Sequence, residues 1–261
     1  GAAQIALIGP PNVGKSMLHA KLTGSHAQTG PYPFTTQFLQ PGMLPYEDIH
    51  FQLIDLPAVS PERPVPWLVN ALQPADACLL VVDLGDANCV DQVTAVHEIL
   101  ASKRVTLLDS WEPAPAPDGN DDELPDPFAI YLPTLMLASK SDRIPALSEE
   151  LKVFRELTGL SYPVIAVSTT NGEGLDEIAP WLFHKLRIVR VYTKAPGRPP
   201  DKDTPFTVRR GQTVQDVALL VHKELAHSLR YARLWRGSKV SGQQVGRDHP
   251  VSDSDIIELH A

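Results

Sequence analysis

Cysteine is nearly absent from this sequence: 261 residues carry only Cys78 and Cys89. Their placement has neither metal-site spacing nor the density of a secreted disulfide scaffold, so a reducing, cytoplasmic setting is the expectation. Long apolar runs are missing too. None reaches the ~18–20 residues that a membrane-crossing helix needs, so a membrane is not an expected partner. No signal peptide opens the chain, and no internal repeat is seen. The first predicted strand, Gln4 to Ile8, begins almost at residue 1.

What is present suits a packed globular protein. Hydrophobic residues make up 43% of the chain, which argues against disorder. The length fits one large domain, or a mid-sized domain followed by a small one. The charge is divided unevenly. Residues 1–186 hold 10 Lys+Arg against 23 Asp+Glu, and residues 187–261 hold 13 against 8. The net charges are therefore −13 and +5, an asymmetry that suggests two units with different partners.

Through residue 185, short apolar runs alternate with helical patterns. Strands are predicted at 4–8, 38–44, 50–54, 78–82, 134–137 and 164–167. Helices are predicted at 15–22, 88–101, 147–157 and 174–185. Alternation of this kind implies an α/β fold with a mixed, mostly parallel sheet between helices. The second and third of these strands are joined by about five residues, so their pairing is expected to be antiparallel. The acidic, proline-rich run 109–128 reads as an exposed loop. The basic tail reads as a small α+β unit. It has a proline-rich connection at 195–205, a strand ending near Arg209, a helix capped by Thr213 with Asp216 three residues on, and β-like runs at 228–235 and 256–259.

The strongest chemical signal is G-P-P-N-V-G-K-S, residues 9–16, lying between an apolar strand and a helix. It matches the phosphate-binding pattern G-x-x-x-x-G-K-[ST]. Gly14 allows close backbone approach, so successive N–H groups face phosphate oxygens. The helix N-terminus adds a partial positive charge. Lys15 brings a point charge to the β- and γ-phosphates, and the Ser16 hydroxyl is a Mg²⁺ ligand. The nucleotide-binding set read here is Gly9, Pro11, Asn12, Val13, Gly14, Lys15, Ser16 and Met17.

Base choice is read further along. Guanine offers N1–H and N2–H₂ to one carboxylate, a bidentate donor pair that adenine lacks. In L-A-S-K-S-D-R, residues 137–143, Asp142 follows a predicted strand and is the candidate base reader. The stem of Lys140 would lie over the purine. Backbone N–H groups around Ser168 and Thr169, in A-V-S-T-T-N-G, would donate to O6. Taken alone, Lys140 and Asp142 read as charges of a solvated loop. Their position after the fifth strand, at the ligand-binding edge of an open α/β sheet, reverses that reading. Asp55 in I-D-L-P-A ends a strand and is placed to hold Mg²⁺ through a water. Thr36, or its neighbour Thr35, would reach Mg²⁺ and the γ-phosphate only with GTP bound, making 30–37 a candidate order–disorder switch.

In this order the motifs resemble the Obg-like GTPases, and among them the developmentally regulated GTP-binding proteins. Y-P-F-T-T at 32–36 and the G-x-P-N-x-G-K-S form of the loop carry the likeness. R-V-Y-T-K at 190–194, P-F-T-V-R-R-G-Q-T-V-Q-D-V-A from Pro205 and V-G-R-D-H-P-V from Val245 look like a TGS domain. The implied division is a GTPase domain at 1–188 and a TGS domain at 189–261. The resemblance implies a cytoplasmic GTPase, with GTP/GDP and Mg²⁺, acting with ribosomes or structured RNA and with a regulatory protein. DNA is not an expected partner. It also implies roles for Lys15, Thr36 and Asn12 in catalysis, with Asn12 helping to hold K⁺, and for Ser16, Thr36 and Asp55 in metal binding.

Three residues depart from the family pattern. Ala58 stands where glycine is usual. It keeps the N–H for the γ-phosphate but has less backbone freedom. Ser139 replaces Asn or Thr of the base-reading motif. Val59 stands where a water-orienting Gln occurs in Ras-like enzymes, so slow hydrolysis is expected. A guanine-nucleotide-binding scaffold with negligible turnover is the alternative that Ala58 and Val59 support.

Positive charge concentrates in the tail at Arg209, Arg210, Lys223, Arg230, Arg233, Arg236 and Lys239, with Tyr231 and Trp235 among them. This pattern fits RNA, whose phosphates attract charge and whose bases stack on aromatics. It equally fits a solvated surface over a small core. His222, His227 and His249 form no metal constellation.

Overall fold

The most apolar strand is also the most completely buried. Ala77–Val82 has no exposed residue, as expected of a strand covered on both faces by helices. It lies in the middle of the larger of two sheets in the computed structural model, which describes residues 1–24, 30–31, 38–113 and 126–261.

In chain order the elements up to residue 185 are β1 (Gln4–Ile8), α1 (Lys15–Thr23), β2 (Gly30–Pro31), β3 (Phe38–Tyr46), β4 (Ile49–Asp55), α2 (Leu68–Leu72), β5 (Ala77–Val82), α3 (Cys89–Ser102), β6 (Val105–Leu108), β7 (Ile130–Ala138), α4 (Leu147–Thr158), β8 (Val164–Ala166) and α5 (Leu175–Lys185). The sheet runs β2-β3-β4-β1-β5-β7-β6, with β8 also on β7. β7 serves two neighbours along one side. Its first half pairs with β6 and its second half with β8. β6 was not read from the sequence.

Strands β4, β1, β5, β7 and β8 run parallel, in registers that set Leu7 beside Asp55, Val82 beside Ala138 and Ala138 beside Ala166. Their C-terminal ends therefore collect on one edge, the edge where open α/β sheets bind ligands. Ile8, Leu56, Val59, Leu80, Met136 and Phe154 belong to a buried cluster beneath it. Trp67 and Trp111 are buried, and the Trp111 indole donates to the Thr134 carbonyl at 3.0 Å.

The chain divides into two compact units. One is Gly1, Ala3–Leu44 and Phe51–Pro180; the other is Ala2, Pro45–His50 and Trp181–Ala261. The second contains β9 (Ile188–Thr193), β10 (Asp201–Arg209), α6 (Val214–Val221), α7 (Lys223–Ser228), β11 (Tyr231–Arg236), β12 (Val240–Val245) and β13 (Asp255–His260). Its sheet order is β10-β9-β13-β11-β12, antiparallel except for β9 with β13. Val191, Val208, Val217, Ala232, Leu234 and Ile257 build its core. Thr213 and Asp216 form the expected capping box on α6.

Within this unit Arg190 is nearly buried and its charge is matched several times over. It donates to Asp253 at 2.9 Å, to Asp48 at 3.0 Å and to Glu47, and its guanidinium lies 4.8 Å from the Phe183 ring centroid. Its hydrogen bonds to Asp253, then to Glu47 and Asp48, hold its pKa above the ordinary arginine value against the opposing cost of burial. Two sequence expectations are corrected here. Ser228 ends a helix rather than opening a strand. The proline-rich connection stops at residue 200, since Asp201–Pro205 is already part of β10. In both places polar residues take part in regular structure through neighbours that the local pattern does not reveal.

Candidate nucleotide-binding site

Between β1 and α1 the chain turns through two left-handed residues, Asn12 with φ 65° and Gly14 with φ 85°. Gly14 pays no steric cost for that conformation. Gly9 is required for a different reason: a Cβ there would stand 2.9 Å from the Val81 carbonyl on β5. The loop is thus pressed against the sheet and bent so that α1 begins at Lys15, directly over the sheet edge.

Lys15 is 8% exposed. Its ammonium donates to the Asp55 carboxylate and to the Leu56 carbonyl. The Ser16 hydroxyl donates to the other oxygen of Asp55 at 3.0 Å. One strand end and one helix start therefore bring together a lysine, a hydroxyl and a carboxylate. They border a cavity of about 570 Å³ that Asn12, Gly14, Met17 and Ala58 also line. The pairing of Ser16 and Asp55 supplies two hard oxygen donors at one place, a donor set that fits Mg²⁺.

A second cavity, about 190 Å³, shares Val13, Gly14 and Met17 with the first and extends to Ser139, Lys140, Asp142 and Thr169. Ser139 is buried, and its N–H and hydroxyl both donate to the Val82 carbonyl, at 2.9 and 3.2 Å. Serine thus braces this loop onto β5. Lys140 adopts a left-handed conformation, φ 55°. Its ammonium donates to the Asn12 carbonyl at 2.9 Å and lies 3.4 Å from Asp83. It therefore ties the loop of residues 137–143 to the loop of residues 9–16 across the sheet edge. Asp142 sits in a single 3₁₀ turn, Ser141–Arg143, and is exposed. Its Oδ1 accepts from the Ser168 hydroxyl at 2.8 Å. Ser168 is buried, and its oxygen also accepts from the N–H groups of Thr170 and Asn171, both at 3.2 Å. One hydroxyl thereby fixes the two loops that would hold a base. Thr169 donates to the Met17 sulfur at 3.4 Å.

Gly9, Pro11, Asn12, Val13, Gly14, Lys15, Ser16, Met17, Asp55, Ala58, Ser139, Lys140, Asp142, Ser168 and Thr169 all lie along this one edge. Thr35 and Thr36 lie outside the described residues. Val59 is a different matter. Its N–H donates to the Gly9 carbonyl at 3.0 Å, and its side chain is 2% exposed in the core. Drawing it out would cost about 1.5–3 kcal/mol, so in this arrangement it offers no group to a γ-phosphate.

Two site residues escaped the sequence reading. Asp83 follows β5, holds Lys140, and accepts the Gly85 N–H at 2.9 Å. Glu173 accepts from the Ser141 hydroxyl at 2.8 Å. The available signal for Asp83 was an acid just past the end of a central strand. Glu173, after an Asn-Gly pair, had no signal beyond a polar turn. Among the described residues no group of His, Cys, Asp or Glu forms a separate metal cluster, and no helix is long and apolar enough to cross a membrane.

Comparison with known proteins agrees with this geometry. The family described as 50S ribosome-binding GTPase matches residues 4–109, and the TGS domain family matches residues 189–261. A GTP-binding protein of Methanocaldococcus jannaschii is 30% identical, over 99% of this chain and 78% of the relative. Developmentally-regulated G-protein 3 of Arabidopsis thaliana is 27% identical over 99% and 82%. Ribosome-interacting GTPase 1 of Saccharomyces cerevisiae is 25% identical over 99% and 82%. Among solved structures, a GTP-binding protein from Pyrococcus horikoshii shares the fold with TM-score 0.62, at 17% identity, covering 99% of both chains. A phosphate loop over a mostly parallel sheet and a separate C-terminal sheet thus find their match in this chain, which belongs to the developmentally regulated GTP-binding proteins, GTPases that carry a TGS domain.

Proposed function

We propose that this chain hydrolyses GTP slowly and that its nucleotide state controls association with a ribosome or structured RNA. The observation that carries the reading is that the two cavities share part of their lining. Lys15, Ser16 and Asp55 border one, Asp142, Lys140 and Ser168 border or brace the other, and Val13, Gly14 and Met17 are common to both. A nucleotide laid along them would put phosphates on the loop and a purine beside Asp142. Binding would draw Lys15 from Asp55 to the phosphates, and the backbone N–H groups of residues 12–16 would surround them. Ser16 and Asp55, with Thr36, would hold Mg²⁺, which supplies neutralisation of phosphate charge when bound. Asn12 would help to hold K⁺. Asp142 would accept from guanine N1–H and N2–H₂, the stem of Lys140 would cover the purine face, and the Ala58 N–H would meet the γ-phosphate.

Catalysis on this reading rests on positioning and charge, without a side chain at position 59 to orient water. Val59 has no polar group that could orient water, and that makes hydrolysis slow. We place the domain boundary at 188/189, the activity in the cytoplasm, and ribosome or RNA contact on the basic TGS domain, with a regulatory protein as a further partner. Val59, together with Ala58, favours a second reading, a guanine-nucleotide scaffold with negligible turnover. Single-turnover hydrolysis in KCl and in NaCl, with and without ribosomes, separates the two. The proposal expects measurable turnover that rises with K⁺. No turnover under any of these conditions leaves only the scaffold.

A further inference from the structure

In the TGS sheet the core takes Ala232, Leu234 and Ile257, so the alternate residues of β11 and β13 stand on the opposite face. Cross-strand register places Tyr231 beside His260, Arg233 beside Glu258 and Trp235 beside Ile256. The Tyr231 and His260 rings stack, 4.6 Å between centroids and 6° between planes. The Lys194 ammonium lies 5.1 Å from the Trp235 ring centroid and 3.1 Å from Glu258. Arg233 is exposed, and its guanidinium is steadied by the Gly242 carbonyl at 3.2 Å. The Trp235 indole rests on Gly242, where a Cβ would meet its ring at 3.2 Å. Glu258 is the one carboxylate in this row, and Lys194 and His260 both pair with it.

We propose that this face binds an unpaired stretch of RNA, with bases against the aromatic rings and phosphates on Arg233 and Lys194. The proposal rests on the RNA-facing reading of the TGS domain and assigns it a surface. Three observations favour that occupant. Residues 187–261 carry a net +5 while residues 1–186 carry −13, so a polyanion is drawn to this part of the chain. The row interleaves flat rings with cations, the combination that holds single strands through stacking and backbone charge. A duplex hides its base faces and would leave the rings unused. Lys194 already occupies the Trp235 ring as a cation; a base arriving there takes its place and leaves the ammonium for a phosphate. Glu258 keeps its partner His260 when that happens.

The test is fluorescence anisotropy of the full chain with a labelled 12-nucleotide single-stranded RNA and with the same strand annealed to its complement. The single strand is expected to bind more tightly than the duplex and to weaken as salt rises. Trp235→Ala and Arg233→Ala should each weaken it by about tenfold, Trp235→Phe should retain most of the affinity, and Lys152→Ala on the exposed side of α4, in the acidic part of the chain, should leave it unchanged. Should Trp235→Ala not fold, Arg233→Ala and Tyr231→Leu carry the test. Absence of single-strand binding, preference for the duplex, or full affinity in folded Arg233→Ala and Trp235→Ala overturns the assignment. Repeating the titration with GDP and with a non-hydrolysable GTP analogue separates it from the parent reading. Equal affinities contradict nucleotide control and leave the surface assigned. Ribosome co-sedimentation that responds to nucleotide but not to Arg233→Ala or Trp235→Ala overturns the surface alone.

Discussion

The two units use their charged residues in opposite ways. In the first, two lysines, Lys15 and Lys140, stand at one sheet edge, each held on a carboxylate and a backbone carbonyl. Its site is built from backbone conformation, through the left-handed residues Asn12, Gly14 and Lys140. In the second, Arg190 is likewise held among carboxylates, but Arg233 is displayed on a sheet face beside Lys194, and the conformation that presents it is ordinary strand. A site that grips one small anionic ligand needs a bent, closely packed backbone. A surface that meets an extended polyanion needs only side chains in register.

This contrast can be broken or sharpened by substitution. Lys15→Ala removes a charged donor from the phosphates and should weaken GTP binding by about a hundredfold or more, given ~1.5–3 kcal/mol for each charge-assisted hydrogen bond lost. Titration calorimetry reads the loss, and near-normal affinity would mean that backbone alone forms the site. Asp142→Asn should cost about ten- to a hundredfold in GDP affinity and raise affinity for xanthine nucleotide, checked by competition between the two. Unchanged preference would remove Asp142 from base reading.

In the second unit the sharper test is acid. Asp253 is held below its ordinary pKa of 3.8 because hydrogen bonds from Arg190 outweigh the burial that pushes it up, and Asp48 is lowered by Tyr192 and Arg190 against the same opposition. A depressed folded-state pKa gives stability that is fully present above the unfolded value. That stability is lost as pH falls through the folded one. Arg190→Met should therefore lower the melting temperature at pH 7, and the gap should close as pH drops through and below about 4. A gap independent of pH would mean that Arg190 acts through packing alone.

The smallest effect is expected at Asp83. Its contact with Lys140 is partly solvated, so Asp83→Asn should raise the dissociation constant for GDP only about two- to fivefold. Stopped-flow release of a fluorescent guanine nucleotide would detect it. A loss as large as that of Lys15→Ala would make Asp83 a direct contact.

Much of this architecture was legible in the sequence where chemistry and conformation coincide. G-P-P-N-V-G-K-S announces both a strand-to-helix turn and a phosphate ligand, and Thr213 with Asp216 announces a helix start. Strand ends were less legible, since Ile130 and Asp201 extend their strands through pairing with neighbouring strands, at Val105 and Thr193, that their own local sequence does not show. β12, V-S-G-Q-Q-V, has neither an apolar face nor β-branched residues beyond its ends, and only its place beside β11 makes it a strand. Asp83 and Glu173 were missed because a lone acid in a loop reads as solvated until the lysine or hydroxyl it holds is known. The pairing of Tyr231 with His260 was hidden for the same reason, being a matter of register between strands far apart in the chain.

The most direct test of the account is calorimetric titration of the full chain with GDP, GTP and ADP, each with Mg²⁺. The account predicts binding of both guanine nucleotides and no heat from ADP. Binding of ADP as tightly as GDP, or no binding of any nucleotide by folded protein, would contradict it.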